Sequence, residues 1–214
     1  LSRRQRQMCI RDRYIGGCRS TSNVLAGQMF GIPVKGTHAH SWVMSFPDEL
    51  TAFRAYAELY PEGCMLLVDT YDTLKSGVPN AIKVFDELKQ KGYKPLGIRL
   101  DSGDLAYLSK EARKMLDDAG HSDCIICVSN DIDEQVLLSL KAQDAKIDLF
   151  GIGTRLITSY DAPSLGGVYK LCAIEENGKL VPKIKLSDTQ AKITNPGLKK
   201  IFRIYDENGF AKAD

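Results

Sequence analysis

Four short apolar runs, CMLLVD (64–69), LGIRLD (96–101), CIICVS (124–129) and IDLFGIG (147–153), recur along the chain with one amphipathic stretch between each pair. Runs of this length bounded by turn residues read as buried strands, and VPNAIKVFDELKQKG, DLAYLSKEARKMLDDAG and DEQVLLSLKAQ carry the period of helices. Strands separated by single helices return through right-handed crossovers, so the pattern constrains the chain to an α/β fold with a parallel sheet. Upstream, SNVLAGQMF reads as a helix, IPVKG as one more strand, and FPDELTAFRAYAELY as a helix opened by Pro47 and Asp48. Downstream, VYKLCAIEENGKLVPKIKL reads as a β-hairpin turning at Asn177 and Gly178. The expected architecture is an incomplete or irregular α/β barrel with open edges, since a complete one usually needs about 250 residues, followed by the hairpin. The reading divides the chain into a leader at 1–13, a barrel core at 14–165 carrying the active-site rims, and a hairpin and terminal segment at 166–214.

Composition narrows the partners. With 214 residues, 43% of them hydrophobic, the chain can bury a full core. A net charge of +2 supplies no whole-chain attraction to nucleic acid or to a membrane surface, and no run approaches the roughly 18 apolar residues of a membrane span. Six cysteines at 9, 18, 64, 124, 127 and 172 lie mostly in apolar runs, as reduced core cysteines do. The CIIC pair has no second pair at a usable spacing and reads as core. The leader LSRRQRQMCIRDR is basic and unpatterned; it reads as foreign to the fold, with a nucleic-acid-binding tail as the other reading.

The ends of the strands carry the chemistry. THAH, DTYD, DSGD, NDID and GIGT follow the five runs in turn, and ligands of α/β sheets bind at that carboxyl rim. DSGD alone is also a helix cap, with Asp101 or Ser102 capping and Asp104 in the first turn. Residues two apart on a strand share a face, so Arg99 goes with Asp101 and Leu67 with Asp69. A charged arginine on a buried strand needs a ligand or an internal ion pair to Asp101 or Asp104. In GIGTR, Gly151 and Gly153 let backbone N–H groups approach an anion, and Thr154 and Arg155 add donors. His38 and His40, two apart without an acidic or cysteine neighbour, supply too few ligands for a metal; for His40 a purely structural role stays open.

TSNVLAG, GTHAHSW, LVDTYDTLKSGVPNA, GIRLDSGDL, SNDID and FGIGTRLITSYDAPSLGGVYKL together resemble the nicotinate phosphoribosyltransferase family, from about Tyr14 to KLSDTQAKITNPGLKKIFR. The resemblance implies the type II phosphoribosyltransferase fold and formation of nicotinate mononucleotide and pyrophosphate from nicotinate and 5-phosphoribosyl 1-diphosphate. It further implies coupled ATP hydrolysis, Mg²⁺, a homodimer with a shared site, and a cytoplasmic place in NAD biosynthesis. It makes the histidine of AHS, His40, the residue phosphorylated by ATP, and gives His38 no role. The pyridine nitrogen already has its lone pair, so catalysis is alignment plus charge stabilisation. On that chemistry Asp101, with Asp131 second and Asp69 in support, suits the ribose hydroxyls or the metal-bound pyrophosphate. Arg99 suits the nicotinate carboxylate, and Gly151, Gly153 and Thr154 the 5-phosphate. Two other readings are a sugar-phosphate aldolase or isomerase barrel, for which Lys35 is the lysine nearest a strand end, and a catalytically incomplete fragment.

Overall fold

The computed structural model describes residues 3–158, 169–186 and 193–213. Its centre is a parallel sheet of β1 (Met65–Leu67), β2 (Gly97–Leu100), β3 (Ile125–Ser129) and β4 (Leu149–Gly151) in the order β1-β2-β3-β4. Three helices make the crossovers: α5 (Val78–Gln90), α6 (Leu105–Asp118) and α7 (Glu134–Ala142). Before the sheet come α1 (Arg3–Ile15), α2 (Val24–Phe30), α3 (His40–Met44) and α4 (Glu49–Leu59), and after it the short α8 (Thr154–Ile157).

One face of the sheet is the core. Leu66, Val68, Ile98, Leu100, Ile126 and Val128 form a single buried cluster with Phe53 of α4, Val84 and Phe85 of α5, and Leu116 of α6. Alternation along each strand then puts Leu67, Arg99 and Cys127 on the opposite face, in register with one another and with Leu149. Among the described residues β4 pairs only with β3, and Leu149 and Phe150 are about two-fifths exposed, the open edge expected from the strand count.

The segment IPVKG departs from expectation. Rather than a strand, it makes a single parallel bridge, Thr21 to Val34, and runs on as a loop. The reason lies in His38, whose buried ring accepts a hydrogen bond at Nε2 from the Leu67 N–H, 3.2 Å away. A side chain thus satisfies a donor of β1 where the added strand was expected. Residues 3–13 of the basic leader lie in α1, which packs against α2 and α8; Arg13 Nε donates to the Leu156 carbonyl at 2.9 Å. Arginine, glutamine and methionine are good helix formers, which the missing apolar stripe obscured.

The hairpin is present as β5 (Ala173–Glu176) and β6 (Lys179–Pro182), with Asn177 in the left-handed region at φ 52°. A second pair, β7 (Ile204–Tyr205) and β8 (Ala211–Ala213), follows it. The boundary expected at 165/166, and the stretches 159–168 and 187–192 of two motifs, lie outside the described residues. Among the described residues no helix is long and apolar enough to cross a membrane.

Candidate active site

The sheet register continues into the rims. Leu67 is level with Arg99, Arg99 with Cys127, and Ser129 with Gly151, so two residues further on Asp69, Asp101, Ser129 and Gly151 form one row at the carboxyl end. Side chains lock that row. Asp69 Oδ2 accepts from the Asp101 N–H at 3.0 Å and from Ser102 Oγ at 2.5 Å, and Ser129 Oγ donates to Asp101 Oδ1 at 2.5 Å. Asp69 is almost wholly buried, whereas the Asp101 side chain keeps 28% of its exposure. Asp101 is therefore the more accessible of the two, and Asp69 holds the loop that carries it.

The second aspartate of each rim does a different job. Asp104 caps α6 by accepting from the Tyr107 N–H, Asp133 caps α7 through the Val136 N–H, and Asp72 accepts from the Lys75 N–H at the head of a π-helical turn, Thr73–Gly77. The α6 cap is thus Asp104, not Asp101 or Ser102 as DSGD suggests in isolation. In both DTYD and DSGD the first aspartate faces the site and the fourth starts the next helix, because only the fourth reaches the free N–H groups of the first turn.

His40 enters over this row from the start of α3. Its Nδ1 lies 3.1 Å from Thr70 Oγ1, and its Nε2 lies 3.7 Å from Asp101 Oδ2 and 4.0 Å from Asp69 Oδ1. Among the described residues, both His40 Nε2 and Asp69 Oδ1 are buried without a hydrogen-bond partner. His38 differs in kind: burial lowers its ring to about 4, and it packs against Phe53 and Tyr56. Because the Leu67 N–H can only donate, the His38 proton sits on Nδ1, toward the Ala39 carbonyl at 3.5 Å. It is a neutral structural ring.

Arg99 projects from the face opposite the core. Its Nη1 donates to Thr37 Oγ1 at 2.6 Å, and its Nε is buried without a hydrogen-bond partner among the described residues. Thr37 comes from the loop that His38 fixes, so the β1 edge and the arginine are tied together. Asp131 is exposed in a turn where both Asn130 (φ 114°) and Asp131 (φ 43°) have positive φ. Gly151 ends β4, Gly153 precedes α8, and Thr154 opens it, all three exposed. Lys35 is exposed, unlike the buried lysine an aldolase needs, and Cys124 and Cys127 are buried, with the Cys124 thiol pushed up to about 11 by burial.

Several participants were not singled out as site residues in the sequence. Thr70 and Ser129, and Ser102 which was read only as a possible helix cap, are small hydroxyl residues whose roles at the rim appear only once the strands are aligned. Glu49 is buried beneath the π-helical turn, where it accepts from Ser76 and from Asn80 Nδ2; burial raises its carboxyl. Lys185 is buried, and its neighbour Leu186 donates its N–H to the Thr70 carbonyl at 3.2 Å, which brings the segment after the hairpin to the rim. In the sequence Lys185 lies at the end of the stretch read as the hairpin and opens KLSDTQAKITNPGLKKIFR, and neither reading marks it as a rim residue.

The model of the nicotinate phosphoribosyltransferase (NAPRTase) family matches residues 4–203. A nicotinate phosphoribosyltransferase of Bacillus subtilis (strain 168) is 57% identical over 194 residues, covering 91% of this chain and 39% of the relative. One from Dictyostelium discoideum is 43% identical, covering 94% and 41%. The crystal structure of human nicotinic acid phosphoribosyltransferase superposes with a TM-score of 0.61 at 32% identity, over 92% of this chain and 46% of that one. The chain thus spans about two-fifths of the length of these curated relatives. The match of the family model over residues 4–203, together with these relatives, places the chain in the nicotinate phosphoribosyltransferase family.

Proposed function

We propose that this chain carries the central part of the catalytic site of a nicotinate phosphoribosyltransferase, which joins nicotinate to the ribosyl carbon of 5-phosphoribosyl 1-diphosphate and releases pyrophosphate in NAD biosynthesis. The observation that carries the reading is the His40, Asp69, Asp101 cluster at the sheet rim, with Arg99 on the same side. The pyridine nitrogen attacks the anomeric carbon as the bond to pyrophosphate breaks, so the site must align two substrates and stabilise separating charges. Arg99 offers its planar fork to the nicotinate carboxylate, and its unpartnered Nε is a donor that such a ligand would satisfy. Asp101 suits ribose hydroxyls, with Asp131 in the turn after the next strand, and Gly151, Gly153 and Thr154 suit the 5-phosphate.

The donor set also fits Mg²⁺ arriving on substrate phosphates. That ion is commonly held by one or two carboxylates plus phosphate oxygens, and Asp69 Oδ1 is a buried acceptor without a hydrogen bond. Asp69 and Asp101 would hold it, and when bound it supplies positive charge to the leaving pyrophosphate. His40 takes the γ-phosphoryl of ATP on an imidazole nitrogen, coupling ATP hydrolysis to turnover. The working unit is a cytoplasmic homodimer that shares its sites.

The deciding experiment is phosphorylation with γ-labelled ATP in the full-length protein. An acid-labile, base-stable label is expected on wild type and absent from His40→Ala, which keeps some ATP-independent transfer. A His40→Ala protein labelled to the wild-type level overturns the assignment of His40.

A further inference from the structure

We propose that Thr70 is a positioning residue for His40, its hydroxyl donating to Nδ1 and holding the ring as the Nε2–H tautomer; this rests on the reading of His40 as the phosphoryl acceptor. Thr70 is fully buried at the end of β1, and its Oγ1 lies 3.1 Å from Nδ1. A buried hydroxyl that fails to donate is costly. The other side of the ring decides the direction. Nε2 faces Asp101 Oδ2 at 3.7 Å and Asp69 Oδ1 at 4.0 Å. A lone pair on Nε2 would point at two carboxylates, whereas an N–H there is attracted by both. With the proton on Nε2, Nδ1 is the acceptor and Thr70 the donor, so the hydrogen bond on one nitrogen sets the state of the other.

The same hydroxyl serves the reactive form, because it accepts as well as donates. When the ring proton moves to Nδ1, Thr70 Oγ1 accepts it and the Nε2 lone pair is free. The Nε2–P bond then forms as the bond from the γ-phosphorus to the bridging oxygen breaks, its electron pair leaves on ADP, and the proton stays on Nδ1. Valine at position 70 keeps the shape and loses both capacities; serine keeps both.

The test is ¹⁵N NMR of histidine-labelled protein, with the His40 signals assigned by their absence from His40→Gln and the solution made alkaline until the neutral ring dominates. Wild type is expected to show a protonated Nε2 and a hydrogen-bonded Nδ1. In Thr70→Val the Nδ1 resonance should move to the position of an unbonded nitrogen, and in Thr70→Ser it should return. Phosphate uptake from ATP should fall about 10- to 100-fold in Thr70→Val, the usual scale for losing a partner that orients a functional imidazole, and stay near wild type in Thr70→Ser. A neutral wild-type ring protonated on Nδ1, or an Nδ1 resonance unmoved in Thr70→Val, overturns the proposal. Should Thr70→Val not fold, the wild-type tautomer decides alone. The expected NMR pattern without any phosphate uptake by wild type would leave Thr70 in place and remove the phosphohistidine reading.

Discussion

At the scale of single residues, the proposed roles separate groups meant to touch ligands from groups that hold them. Asp101 has a partly exposed side chain, and among the described residues Arg99 has a buried Nε without a hydrogen-bond partner. Asp69 spends one oxygen on the Asp101 N–H and Ser102. Arg99 is the sharper test of substrate choice. In the full-length enzyme Arg99→Ala should weaken nicotinate binding by about 2–5 kcal/mol, the cost of breaking a desolvated charge pair, with a smaller effect on the phosphoribosyl donor. Arg99→Lys should recover only part of it, because a point charge lacks the fork that meets a carboxylate with two bonds. Separate titrations of the two substrates check this; equal losses for both would mean that the rim had collapsed, since Thr37 also depends on Arg99.

At the scale of elements, the D-x-x-D rims couple the end of one strand to the start of the next helix. The turn Thr73–Gly77 shows how tightly. The Ser76 and Gly77 N–H groups both reach the Asp72 carbonyl, and a Cβ built at Gly77 would stand 1.8 Å from the Val68 carbonyl oxygen. Val68 directly precedes Asp69, so the closeness of that turn sets where the Asp69 and Thr70 rim begins. Gly77→Ala should destabilise the fold at the upper end of the range of about 1–3 kcal/mol typical of overpacking, read as a lower urea midpoint at unchanged slope. An unchanged midpoint would show that the turn yields freely. The helical period, the Asp48 cap of α4 and the Asn-Gly hairpin were legible here because each depends on residues within four positions of one another. The IPVKG segment was not, since its apolar residues suit a strand but the β1 edge is met by His38 instead.

At the scale of the whole molecule, His38 links fold stability to pH. Its folded value of about 4 lies below the ordinary value of 6.5, so the unfolded chain takes up a proton that the folded one refuses. Its contribution is full above pH 6.5 and is lost as pH falls toward 4, to a total on the order of 3 kcal/mol. Glutamine at position 38 can still accept from the Leu67 N–H and does not titrate. Urea unfolding from pH 7 to 4 should therefore show a shallower decline for His38→Gln than for wild type; parallel curves would assign the acid sensitivity elsewhere. By itself the sequence determined the alternation of strands and helices, the parallel sheet, the hairpin and the row of polar residues at the strand ends. Periodicity, turn residues and burial along a strand are local properties, and they survive without knowledge of neighbours. Tertiary structure alone decided which aspartate faces the site and which caps a helix, that Thr70 meets His40 across 30 positions of sequence, and that Thr37 meets Arg99 across 62. Those contacts have no local signature, because the residues become neighbours only when β1 and β2 lie side by side and the loop before α3 closes over their ends.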